Sequence, residues 1–139
     1  MKRHESMRAH RAVLVLLLAA CSHVTPQAVG IVPGEDFTLS VAESAALPGD
    51  GLLEFAQVVS DSRCPVDVQC VWAGDAVIAL RASDVNDSAS LRIHTGGPRT
   101  ALFGNWEVEL VELRPSPREG IALTQADYEA VLRLREAVR

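Results

Sequence analysis

From Phe37 onward apolar side chains recur at every second position, and that period of two restricts the chain to strands rather than helices. Phe37, Leu39 and Val41 alternate with Thr38 and Ser40, the pattern of a half-buried strand. Pro48-Gly49-Asp50-Gly51 is turn chemistry. In the next strand Leu53, Phe55, Gln57 and Val59 share one face, and Leu52, Glu54, Ala56 and Val58 the other. The run Ala76 to Leu80 is apolar on both faces, as a central strand requires. A turn over Ser83 to Ser88 follows, then Leu91 and Ile93 alternating with Arg92 and His94, then the turn Gly96-Gly97-Pro98. Trp106, Val108, Leu110 and Glu112 stand opposite Glu107, Glu109, Val111 and Leu113, and Pro115 to Gly120 breaks the sheet.

The last segment carries two patterns at once. Thr124-Gln125-Ala126-Asp127 reads as a helix capping box, with Tyr128, Val131, Leu132 and Arg135 at helical spacing. With a period of two, Tyr128, Ala130, Leu132 and Leu134 line one face, with Glu129, Arg133 and Arg135 mainly opposite. Local propensity favours the helix, because Ala, Glu, Leu and Arg dominate. The clean alternation and the need to cover the last sheet edge favour the strand, which is the reading adopted. About seven strands separated by turn signals make an all-β chain, expected as an antiparallel β-sandwich; a small barrel and a sandwich with a C-terminal helix are the alternatives.

The N-terminal residues say where such a domain works. Lys2, Arg3, Arg8 and Arg11 precede nine apolar residues, Ala12 to Ala20. That run is short of the roughly 20 residues of a helical span. A basic flank, a short apolar core and small residues at its end make a secretory signal peptide. Leu18-Ala19-Ala20-Cys21 resembles the lipobox of bacterial lipoproteins. The resemblance implies cleavage before Cys21, a diacylglycerol on its sulfur, and acylation of the new amino terminus. Ser22 in the following position resembles the sorting pattern for the outer membrane, if the source is diderm. Residues 1–20 are then the leader, 21–35 a lipidated tether rich in small and polar residues, and 36–139 one β domain of ordinary size.

Removing the leader takes four of the 13 basic and one of the 18 acidic residues, which leaves a net charge of −8. That sign argues against a nucleic-acid partner and against a polybasic grip on anionic lipid, so membrane attachment rests on the acyl chains. Lys2 is the only lysine, which excludes Schiff-base chemistry in the mature domain. With Cys21 given to lipid, Cys64 and Cys70 remain as an even pair in an oxidising compartment. A bridge across so short a ring contributes roughly 2–2.5 kcal/mol in the loop-entropy description. The spacing is not the C-x-x-C of thioredoxin-like redox motifs, and a zinc site would need two further ligands from scattered positions.

Residues 61–74 read Asp-Ser-Arg-Cys-Pro-Val-Asp-Val-Gln-Cys-Val-Trp-Ala-Gly. This stretch resembles the D-S-R-C-P-x-x-V-x-C-x-W-A-G signature of small secreted or lipid-anchored bacterial proteins. The resemblance implies a strand on either side of the signature and an extended closing segment at an Asp-Tyr pair, here Asp127-Tyr128; it implies no established activity. The residues allow two uses. As a structural corner, Pro65 stiffens the ring, Asp61 and Arg63 pair with each other or hold the loop's amides, Trp72 packs over the disulfide and Gly74 supplies a bulge or a close approach. As a recognition surface, Arg63 and Trp72 are presented on a rigid loop, both being residue types that favour binding hot spots.

Catalytic and metal constellations are weak by comparison. No nucleophile elbow, metalloprotease helix, P-loop or dinucleotide fingerprint is present. After cleavage the histidines are His23, in the tether, and His94, expected exposed on an edge strand. Asp84, Asn86 and Ser88 match the start of a calcium loop, but Ala89 and Thr95 stand where its glycine and bidentate glutamate belong. Glu107, Glu109 and Glu112 form a solvated face rather than a glycosidase pair. No cofactor or metal site is therefore expected, and no enzyme. The expected function is a lipid-anchored envelope domain with a binding or structural role, through Asp61, Arg63 and Trp72 if it binds an envelope protein. The alternative is a secreted protease inhibitor that inserts the Ser62-to-Gln69 loop, with Arg63 beside it, into an active site.

Overall fold

The computed structural model describes residues 29–138, so the leader, Cys21 and His23 lie outside the described residues. Nine strands run in chain order: β1 (Val29–Gly30), β2 (Asp36–Ser40), β3 (Ser44–Leu47), β4 (Gly51–Asp61), β5 (Ala76–Ser83), β6 (Ser88–His94), β7 (Thr100–Phe103), β8 (Trp106–Arg114) and β9 (Glu129–Glu136). They form two separate sheets, ordered β1-β3-β4-β5-β6 and β2-β9-β8-β7. All neighbours are antiparallel except β1, which lies parallel to β3. The fold is the expected β-sandwich, not closed into a barrel.

The core fills the gap between the sheets. Leu53, Phe55, Ile78, Leu80 and Ile93 from one sheet meet Val108, Leu110, Leu132 and Leu134 from the other, all fully buried. Sheet faces packed in this way bury alternate residues of each strand. Truncating Phe55 to Ala would cost about 3–5 kcal/mol, the usual penalty for an aromatic-sized cavity.

Strict alternation fails in β4, which has register shifts at Phe55/Gln57 and at Val58/Ser60, and in β8, for the same reason. A register shift between Phe55 and Gln57 puts Val58 inside, so Gln57 and Val59 face solvent rather than continuing the Leu53–Phe55 face. In β8 the shift between Leu110 and Glu112 turns Leu113 inward and Glu112 outward. A β-bulge inserts one residue, and because the side-chain period is two, one residue reverses every position beyond it.

The closing segment keeps both of its signals. Thr124 and Asp127 make the capping box, but it starts a single 3₁₀ turn, Gln125–Asp127, and β9 follows directly. Tyr128, Ala130, Leu132 and Leu134 are buried, as the alternation predicts. β9 is an interior strand between β2 and β8, not the edge that the sequence argument supposed. Three strands escape the sequence reading: β3, β7 and β1. The last lies inside the stretch read as tether, with Val29 and Gly30 paired to Ala45 and Ala46 and Ile31 buried.

Candidate functional site

The signature occupies one end of the sandwich, where β4 hands over to β5. The strand ladder continues past both strands: the Ser62 amide donates to the Asp75 carbonyl at 2.7 Å and the Cys64 amide to the Ala73 carbonyl at 2.7 Å. Gly74 makes this possible. It has a φ of +71°, and a Cβ there would fall onto the Ser62 carbonyl. Cys64 and Cys70 form a disulfide, with Cα atoms 6.0 Å apart. The ring so closed is docked to the loop between β8 and β9. The Val66 amide donates to the Pro117 carbonyl at 3.0 Å, and the Glu119 amide to Asp67 Oδ1 at 2.9 Å.

Beneath the ring, Asp61 and Arg63 form a nearly buried pair, with side chains 10% and 13% exposed. Asp61 Oδ1 accepts from the Arg63 amide at 3.1 Å and Nε at 2.9 Å, and Oδ2 accepts from Nη2 at 2.6 Å and from the Tyr128 hydroxyl at 3.1 Å. The guanidinium spends its other donors on the carbonyls of Leu113, at 2.7 Å, and Pro115, at 2.9 Å. Burial alone would raise the Asp61 carboxyl; hydrogen bonds from Arg63, its charge and the Tyr128 hydroxyl outweigh this and hold it below its ordinary value. Tyr128 is pushed up, by burial and by its bond to that carboxylate.

Three further side chains, none of them singled out by the sequence reading, complete this end. Gln125 lays its amide along β4, accepting the Val58 amide and donating to the Val58 carbonyl, both at 2.8 Å. It does for that edge residue what a neighbouring strand would do. Arg99 answers the bulge in β8 by donating to the carbonyls of Leu110, at 3.0 and 2.8 Å, and Val111, at 2.6 Å. Asp75 is the third. Its Oδ2 lies 2.6 Å from His94 Nδ1, while Oδ1 accepts from the Thr95 hydroxyl at 3.1 Å and the Gly96 amide at 2.7 Å. Burial opposes ionisation of Asp75, but His94, Gly96 and Thr95 together lower it to about 2.

His94 thus sits on the edge strand β6, as expected, but it is half-buried rather than exposed and is bonded to a carboxylate. The two hydroxyls hydrogen-bonded to Asp75, those of Ser62 and Thr95, donate to its carbonyl and carboxylate respectively. The other candidates resolve as surface structure. Asp84 Oδ1 accepts the amides of Asn86 at 2.7 Å and Asp87 at 2.8 Å, an Asx turn rather than a calcium loop. Glu109 pairs with Arg135 at 2.8 Å and Glu112 with Arg114 at 2.7 Å.

The signature residues therefore divide into an inward and an outward set. Asp61 and Arg63 are the internal fastening. Trp72 does not pack over the disulfide: it is 79% exposed, beside Val71 at 90%, and Val66 in the ring is 60% exposed. Arg63 turns inward, so it is not presented beside the ring as insertion into a protease would have it. No family model, curated protein or solved structure matches the chain.

Proposed function

We propose that this chain is a lipid-anchored domain of the bacterial cell envelope that binds another envelope protein through its disulfide ring, and that it performs no catalysis. The observation that carries the reading is the exposure of Val71 and Trp72 on a loop fastened by the disulfide, Gly74, Asp67 and the Asp61–Arg63 pair. Large apolar side chains held out in water cost free energy in the unbound state. A rigid mounting means that little ordering entropy is lost on docking. The anchor rests on the lipobox at Cys21 and supplies the location; the loop supplies the contact.

Crosslinking and pull-down of the full chain from its own envelope tests the contact. Trp72→Ala is expected to lose the captured partner with the fold unchanged, and retention of the same partner by that variant overturns the reading. The anchor is tested apart from it. Cys21→Ser should lose acylation and appear unprocessed or soluble; normal processing and membrane attachment would sink the lipobox assignment.

A further inference from the structure

The opposite end of the sandwich holds a feature that the signature does not touch. Three turns meet there: Pro48–Asp50 between β3 and β4, Asp84–Asp87 between β5 and β6, and Gly104–Asn105 between β7 and β8. They surround a hollow of about 230 Å³ lined by Leu47, Pro48, Asp84, Phe103, Asn105 and Trp106, among others. A second, more open hollow of about 490 Å³ is lined by Pro48, Asn105, Trp106, Glu136 and Ala137. The two share Pro48, Asn105 and Trp106, so they are adjoining lobes of a depression that meet at those three residues.

Trp106 is half-buried and packs against the core, which fixes its ring without covering it. The register places it beside Phe103 on β7 and Glu136 on β9. Asp84 lines the smaller hollow and Glu136 the larger. The Asx turn uses Asp84 Oδ1 and leaves Oδ2 outside that turn. Gly49 and Gly104, both at positive φ, line the rim with no side chain, so backbone groups there are approachable.

We infer that this depression binds a pyranose ring. A sugar presents an apolar C–H face and an equatorial girdle of hydroxyl donors. A fixed indole with two carboxylates nearby offers the matching flat surface and acceptors. The size fits one or two rings, and the mostly polar lining of the smaller hollow supplies groups that orient a small ligand. An organic cation fits less well. It prefers several aromatic faces around it, and exposed carboxylates attract it only weakly in salt.

The site stands apart from the ring-bearing loop and does not depend on the anchor. Saturation-transfer NMR of the full chain with glucose, N-acetylglucosamine and their linear oligomers, and with tetramethylammonium as cation probe, tests it. Transfer to the sugar ring protons is expected. Asp84→Asn keeps the Oδ1 acceptor of the turn and should weaken binding at least tenfold, as should Trp106→Leu. Because Trp106→Leu removes packing, Glu136→Gln provides a second variant that leaves the core intact, with a smaller loss expected. Absence of transfer from every saccharide at millimolar concentration overturns the inference. So does binding unchanged by Asp84→Asn and Glu136→Gln, or displacement of the sugar by tetramethylammonium.

Discussion

The two ends of the sandwich both carry a tryptophan, yet they are built on opposite plans. At the signature end two long connections, 62–75 and 115–128, are tied to each other and to the strands: Arg63 reaches carbonyls on either side of Arg114, Asp67 holds Glu119, and Gln125 holds Val58. The tryptophan there is left outside, on top of the fastening. At the other end the connections are two- to four-residue turns that satisfy themselves locally, and Trp106 is drawn into the core with part of its ring left open. Long loops need cross-ties because each ordered residue loses backbone entropy; short turns do not. A projecting tryptophan on a tied loop suits a large partner, and a recessed one between short turns suits a small one.

Substitutions at the signature end can break this contrast. Arg63→Ala should have the largest effect, about 3–5 kcal/mol by chemical denaturation, because it strands the buried Asp61 carboxylate and two carbonyls. Arg63→Lys should recover little of it, since one ammonium cannot replace the forked contacts. If Arg63→Ala costs less than about 1 kcal/mol, the fastening is not what holds this end together.

A matched pair of glycines sharpens the comparison. Gly74 and Gly104 both have positive φ, but only Gly74 faces backbone; a Cβ on Gly104 meets open space. Gly104→Ala should cost about 1 kcal/mol, the left-handed penalty alone. Gly74→Ala should cost at least about 2 kcal/mol, measured by thermal or urea unfolding, because the Ser62 carbonyl must also move. Equal costs would show that the loop yields more readily than its hydrogen bonds imply.

Asp75 adds a dependence on pH. Its carboxyl is lowered in the folded protein from 3.8 to about 2, so its contribution is fully present above 3.8 and is lost as the pH falls through about 2. Asp75→Ala should therefore cost about 1–2 kcal/mol at neutral pH, and the difference from the parent chain should shrink in acid. Trp72→Ala closes the series: unfolding free energy should change by no more than about 0.5 kcal/mol, while partner capture is lost.

Much of this architecture was readable from alternation, and the failures have physical causes. Tyr128, Ala130, Leu132 and Leu134 overrode a strongly helical local composition, because an inward face with a period of two has a core to bury against. β3 is Ser-Ala-Ala-Leu, too short and too small in side chain to show a period, and β1 is two residues whose strand identity depends on a distant partner. The bulges in β4 and β8 left a trace, since Val58 and Leu113 stood on what strict alternation made the solvent faces. At the site, the Asp61–Arg63 pairing was legible from proximity. The roles of Gln125, Arg99 and Asp75 were not, because each completes a backbone or ring contact set by tertiary structure alone.

The pairing of β1 with β3 also sets the length of the leash. Had the folded part begun at Asp36, fifteen residue-to-residue steps would separate it from Cys21, enough for about 50 Å of extended chain. With Val29 already paired into the sheet, eight steps remain, and their full reach is about 28 Å. If Cys21 carries the acyl chains, the domain works within about one domain diameter of the lipid surface. Any partner is then met in a thin layer, where a weak contact is raised by local concentration rather than by affinity.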